Sequence, residues 1–216
     1  WFPLKGKNQH SIESNLDMIR LIGINNEKPK MEFYFDKKDS ENVSKFLKNE
    51  KVGKYYIIHP GFGGKNKFKA YSRYWPSEVY SEIADHLLID KNAKVLITGI
   101  AEEKTLADEI ISKSKGKERI VNACGKISLH ELGALVKGAS LVVAPDTSII
   151  HIASVYDTKV VDLLGDENPI LWHPWMDKNL YETVTHPYFS KKNLQMEDYT
   201  AKAKEIKEVI NKVLGR

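Results

Sequence analysis

The stretch "SLVVAPDTSIIHIASVYDTKVVDLLG", residues 140–165, decides the fold. Its first run, "SLVVAP" (140–145), is continuous and apolar, as a strand covered on both faces must be. The segment from Thr147 to Val155 reads as a helix, and "TKVVDLLG" (158–165) returns as a second apolar strand. Strand, helix and strand in such quick succession form a βαβ unit, which calls for a parallel sheet with helices on its faces.

Working outward, the same alternation repeats. "YYIIH" (55–59), "AKVLITG" (93–99) and "RIVNAC" (119–124) read as strands. Pro76 followed by "SEVYSEIADHLL" predicts a helix with Val79, Ile83 and Leu87 on one face, and "EEKTLADEIISKS" (102–114) predicts another with Leu106, Ile110 and Ile111 inward. "SLHELGALVKGA" (128–139) opens with Ser128 and Glu131 at capping-box spacing. The expected fold is therefore α/β: a doubly wound, Rossmann-like parallel sheet of five strands over residues 51–199. Residues 1–50 read as an interdomain or linker segment, with a helix near "IESNLDMIRLIGI", an extended "KMEFYF" that could add an edge strand, and a helix in "SENVSKFLKNE". Residues 200–216 read as a C-terminal helix with Ala203, Ile206, Ile210 and Val213 as its apolar stripe.

Composition narrows the class. With 42% apolar and 29% charged residues in 216, the chain has the profile of a globular protein with a core of its own. It contains neither an apolar run long enough to cross a bilayer nor a leader-like segment. The single Cys124 excludes an internal disulfide and reads as a free thiol or a small buried residue. The histidines lack metal-ligand spacing, so no metal is expected. The net charge of +4 is spread along the chain instead of gathered into a basic arm, which argues against nucleic acid. The chain opens on Trp1 with no strand in its first stretch, so it is expected to be a piece of something longer.

In an open parallel sheet, ligands bind beyond the carboxyl ends of the strands. Those ends here are "HPGFGG" (59–64), "TGIAEE" (98–103), "PDTS" (145–148) and "GDEN" (165–168). "PDTS" opens a helix whose free N–H groups and dipole favour an anion, with the hydroxyls of Thr147 and Ser148 as further donors; a phosphate or diphosphate fits there. His151 follows Thr147 by one turn on the same helix face. The plainer alternative makes Asp146 or Thr147 an N-cap and His151 a satisfied buried histidine. In "HPGFGGKNKFKAYSRYWP", glycines allow close backbone approach and Lys65 and Arg73 are candidate counter-ions, although neither a Walker loop nor GxGxxG is present. That absence also argues against a dehydrogenase. Glu102 and Glu103 could accept from sugar hydroxyls or simply complement a helix dipole. "ENPILWHPW" could wall a base or sugar, or fold against the core.

Together, "IHPGFGG…RYWP", "LITGIAEEKTLADEI", "CGKISLHELGALVKGASLVVAPDTSIIHIAS" and "VVDLLGDENPILWHPW" resemble the C-terminal half of glycosyltransferase family 9, the ADP-heptose:lipopolysaccharide heptosyltransferases and their relatives. "HSIESNLDMIRLIGI" is similar to the family's interdomain stretch. The resemblance implies GT-B architecture, with this chain as the half that binds the nucleotide-sugar donor. By the same resemblance, "PDTSIIH" matches the family's D-T-G-x-x-H, so Asp146, Thr147, Ser148 and His151 would line the diphosphate and donor sugar. Gly61 and Phe62 would meet the phosphates with Lys65 nearby, Arg73 would neutralise them, Glu103 (Glu102 as the lesser choice) would approach the ribose, and Gly125 with "SLHEL" would lie near the base. Ser148 in place of glycine, and the longer first loop "KNKFKAYS", depart from the family pattern and bear on the donor's identity. The resemblance further implies an inverting, metal-independent transfer without a cofactor, using ADP-heptose as donor and lipopolysaccharide or another lipid-linked glycan as acceptor. It implies a cytoplasmic protein, peripheral at the inner membrane. The general base would come from the N-terminal domain, so this chain is expected to bind donor without turnover. The alternatives are a GT-B transferase using a UDP- or GDP-sugar, or a non-catalytic nucleotide-binding module.

Overall fold

A computed structural model describes residues 8–25, 30–61, 73–165, 167–187 and 193–216. Its elements in chain order are α1 (Ser11–Arg20), α2 (Lys37–Asn49), β1 (Lys54–Ile58), α3 (Ser77–Leu87), β2 (Ala93–Ile97), α4 (Lys104–Lys113), β3 (Ile120–Asn122), α5 (Leu129–Gly138), β4 (Val142–Pro145), α6 (Ser148–Val155), β5 (Val160–Leu163), the short α7 (Pro169–Trp172), β6 (Tyr181–Thr183) and α8 (Met196–Leu214). The six strands form one sheet in the order β3-β2-β1-β4-β5-β6, every neighbouring pair parallel. The doubly wound, Rossmann-like reading is thus correct. Its topology places a switch point between β1 and β4, where chain connections leave in opposite directions and a crevice opens at the strand ends.

The inner strands bury both faces, so their residues alternate between two cores. On β1, Tyr56 and Ile58 join Val95, Ile97, Val143 and Val161 beneath α3, α4 and α8, whereas Tyr55 and Ile57 join Leu96, Val142, Ala144 and Val160 beneath α5 and α6. α2 packs on α5 and contributes Val43 to this second core. α8 delivers Ala203, Ile206, Ile210 and Val213 to the first, as its stripe predicts. The helix begins at Met196, ahead of that stripe, because the Asp198 carboxylate accepts the Gln195 N–H at 2.8 Å and closes the first turn.

Two expectations need correction. The extended segment at 30–36 forms no edge strand. Its aromatic rings have a better partner in the helices: Tyr156 donates its hydroxyl to the Phe33 carbonyl, Phe35 lies 5.6 Å from the Tyr156 ring, and a Cβ on Gly133 would come within 2.7 Å of Phe33. A side-chain-free position on α5 is what admits the segment. The sheet also has a sixth strand, β6, whose three residues are too few for a periodic signal.

The capping box on α5 is present. Ser128 Oγ accepts from Glu131 N–H at 3.3 Å, Glu131 returns the contact to Ser128 N–H at 2.8 Å, and Asn42 of α2 donates to the same Glu131 carboxylate. Ser128→Ala is expected to lower stability by about 1 kcal/mol, the usual cost of losing an N-cap side chain; a denaturant midpoint indistinguishable from that of the parent would contradict this.

Candidate functional site

A cleft of about 410 Å³ opens at the strand ends beside the switch point. Three strand ends supply its polar wall: His59 after β1, Thr98 and Gly99 after β2, and after β4 Asp146 and Thr147, with Ser148 as the first residue of α6. Arg73, just before α3, reaches in from the side. Ile100, Ile127, Leu129 and Leu132, with Ser128 among them, make the remaining wall largely apolar, and Glu103 also lines the cleft.

The polar wall combines groups paired within the protein with one hydroxyl left unpaired. Thr147 occupies the N-cap position of α6, yet its hydroxyl caps nothing: Oγ1 is buried without a hydrogen-bond partner. That excludes the simple N-cap reading of Thr147 and leaves a donor beside the first turn of α6, where helix N–H groups also lack intrahelical partners. Burial pushes the Asp146 carboxyl above its ordinary range; Arg73 and His151 pull it back, and Glu167 pushes it up further. Arg73 itself forms an ion pair with Glu167 at 2.5 Å, across 94 residues of sequence. His59 Nδ1 lies 2.9 Å from Thr98 Oγ1, and burial lowers its pKa, which favours the neutral ring.

Glu103 is fixed by the backbone. Its Oε2 accepts the Ile100 N–H at 2.9 Å, and a Cβ on Gly61 would fall 1.9 Å from its Oε1. Gly61 therefore serves to make room for this carboxylate between the ends of β1 and β2. Glu102 is exposed and outside the cleft. Gly125 also lies off the lining. It adopts φ 72°, donates its N–H to the Gly99 carbonyl at 2.9 Å, and a Cβ there would sit 2.9 Å from Ala101 Cα, so it supports the β2 loop from behind. Phe62 and Lys65 fall outside the described residues.

His151 sits behind the lining, between Asp146 and a second aromatic cluster. His10, the N-cap of α1, accepts the Ile12 N–H on Nδ1 at 3.2 Å and places Nε2 2.9 Å from the His173 carbonyl, which makes it the neutral tautomer with Nε2–H donating. Its ring packs 4.6 Å from both His173 and Trp175. The "ENPILWHPW" loop is accordingly folded against α1, and none of its aromatics lines the cleft. Cys124 is a buried core residue whose thiol is pushed up to about 12.

The sequence reading missed three features. His59 and Thr98 stood in quoted loops without being singled out, and their pairing needed the β1–β2 register. Asp162 is fully buried in β5, with Oδ1 unpartnered and Oδ2 3.4 Å from the Thr183 hydroxyl; desolvation and the nearby Asp146 hold its carboxyl well above the usual range. Its signal was an acid inside the apolar run "VVDLL". Among the described residues, no group of three or more His, Cys, Asp or Glu is placed to hold a metal, and no helix is long and apolar enough to cross a membrane.

Lipopolysaccharide heptosyltransferase 3 of Escherichia coli (strain K12) is 30% identical over 183 residues, which cover 81% of this chain and 49% of that protein. The chain thus spans about half the length of the curated relatives it matches. Among solved structures, the glycosyl transferase family 9 protein from Veillonella parvula DSM 2008 superposes with a TM-score of 0.78 at 14% identity, covering 99% of this chain and 62% of that one. E. coli ADP-heptose lps heptosyltransferase II superposes with a TM-score of 0.67 at 18% identity, covering 86% and 53%. The family model for Glycosyltransferase family 9 (heptosyltransferase) matches residues 3–204, nearly the whole sequence, and the chain belongs to that family.

Proposed function

We propose that this chain is the donor-binding half of an inverting, heptosyltransferase-like glycosyltransferase acting in lipopolysaccharide core or surface-glycan synthesis, with ADP-heptose as donor. The observation that carries the reading is the two-sided character of the cleft. Its apolar side, Ile100, Ile127, Leu129 and Leu132, suits a nucleobase; its polar side, Arg73 with the unpartnered Thr147 hydroxyl at the start of α6, suits a diphosphate; Glu103, also on the lining, suits the hydroxyls of a ribose. Asp146 and Ser148 then flank the sugar end.

In the proposed reaction, an acceptor hydroxyl attacks the anomeric carbon from the face opposite the diphosphate. The bond from that carbon to the diphosphate oxygen breaks as the new glycosidic bond forms. Negative charge gathers on the departing nucleoside diphosphate, and Arg73 with the α6 N-terminus stabilises it there. Such fixed groups act strongly because they need no reorganisation as charge develops. The acceptor, a lipopolysaccharide or other lipid-linked glycan, and the base that takes its proton belong to a facing N-terminal domain. On this reading the full protein works in the cytoplasm at the inner leaflet.

Calorimetric titration with ADP, UDP and GDP, together with ADP-heptose, tests the donor. ADP is expected to bind about tenfold or more tighter than UDP or GDP, a difference of ~1.4 kcal/mol. Preference for UDP or GDP would reassign the donor, and absence of binding by all of them would overturn the reading.

A further inference from the structure

The geometry points to Glu167 as an internal competitor for the diphosphate: it holds Arg73 at the cleft wall and gives it up when the ligand binds. This inference rests on the cleft's taking a nucleoside diphosphate and adds a residue that tunes how tightly it does so.

Arg73 faces two carboxylates at once. Asp146, on the polar wall, lies within its electrostatic reach, and Glu167 is paired to it directly at 2.5 Å. The guanidinium is therefore already matched before any anion enters. Both ends of the pair stand on anchored shoulders. Arg73 comes two residues before Trp75, which is 1% exposed in the core. Glu167 comes just before α7, where Asn168 accepts the Ile170 N–H on its side chain and Pro169 takes the first helical position. The bond thus joins the β5–α7 loop to the approach to α3.

A diphosphate adds at least two negative charges beside a cation that has two acidic neighbours among the described residues. One of those neighbours must yield. Asp146 is half-buried and its burial already disfavours charge, whereas the Glu167 side chain is 37% exposed and can turn into water at little cost. Glu167 is the one free to leave. After transfer, its return to Arg73 would help expel the spent nucleoside diphosphate, so the same contact that weakens binding speeds release.

Glu167→Gln keeps the shape of the side chain and removes the competing charge. It is expected to tighten ADP binding by about two- to fivefold, the scale of one partly exposed ion pair. Most of the gain should appear as slower ADP dissociation in stopped-flow displacement, while adenosine, which lacks the diphosphate, binds both proteins equally. If the parent binds ADP and Glu167→Gln binds it equally or more weakly, Glu167 is no competitor, and the donor reading stands without it. If adenosine shifts by the same factor as ADP, the change acts through loop shape and the inference fails. If neither protein binds ADP, both the inference and the reading beneath it fall.

Discussion

Arg73→Ala should bind ADP about 10- to 100-fold more weakly than the parent, the loss that follows from removing one charge-assisted hydrogen-bonding group. Arg73 lines the polar wall at the switch point and lies within electrostatic reach of Asp146. Its effect should depend on the phosphates: large for ADP, smaller for AMP, absent for adenosine. Arg73→Lys should recover only part of the loss, since an ammonium cannot grip two oxygens at once. The fold should be unaffected, because the side chain is about one-third exposed and its ion pair contributes little to stability. Calorimetry with the three ligands, alongside thermal unfolding, checks all of this. Equal losses for ADP and adenosine would move the phosphates elsewhere in the cleft.

The second large effect concerns stability and comes from Asp162. In the unfolded chain this carboxyl ionises near ~3.9; in the fold it keeps its proton to a much higher pH, because desolvation and Asp146 disfavour its charge. Below the unfolded value both states are protonated and the residue has no pH-dependent effect. Above it the unfolded state binds fewer protons than the folded one, so stability falls as pH rises until the folded carboxyl also ionises. Asp162→Asn keeps the shape, removes the titration and offers an amide that Thr183 Oγ1 can meet. The advantage of the variant over the parent is expected to widen as pH rises from 4, reaching about 1–3 kcal/mol or more by pH 8. Denaturant unfolding at pH 4, 6 and 8 measures the difference, and parallel pH profiles for the two proteins would refute the account.

Much of the architecture was legible because buried parallel strands advertise themselves. The runs at 55–59, 93–99, 140–145 and 158–165 are too apolar to face water, and the amphipathic segments between them could only be crossovers. β6 was not legible, since "YET" buries only Tyr181 fully. The alternation in "KMEFYF" misled for a physical reason: the same aromatic spacing that suits a strand also suits docking against a helix, and Gly133, a hundred residues on, provided the dock. At the site, Arg73, Glu103, Asp146, Thr147 and Ser148 stand together on the cleft wall where the strand ends had placed them. The partner of Arg73 could not be read, because no local pattern links positions 94 residues apart. Nor does sequence tell which glycine faces a ligand: Gly61 makes room for a carboxylate and Gly125 props a loop.

The sheet's two outermost strands, β3 and β6, each have only three residues, while the inner strands have four or five. An outer strand leaves one row of backbone N–H and C=O groups open to any extended chain that comes near, and the number of bonds such an intruder can make grows with the length of the row. Both rows are short, running only a few residues past the strands as far as Gly125 beside β2 and His186 beside β5. Colloidal behaviour is thereby written into strand length: a sheet whose interior is among the most apolar parts of the chain offers other copies very little to zip onto, and lengthening β6 with β-branched residues would be the direct way to make this protein form fibrils or precipitate.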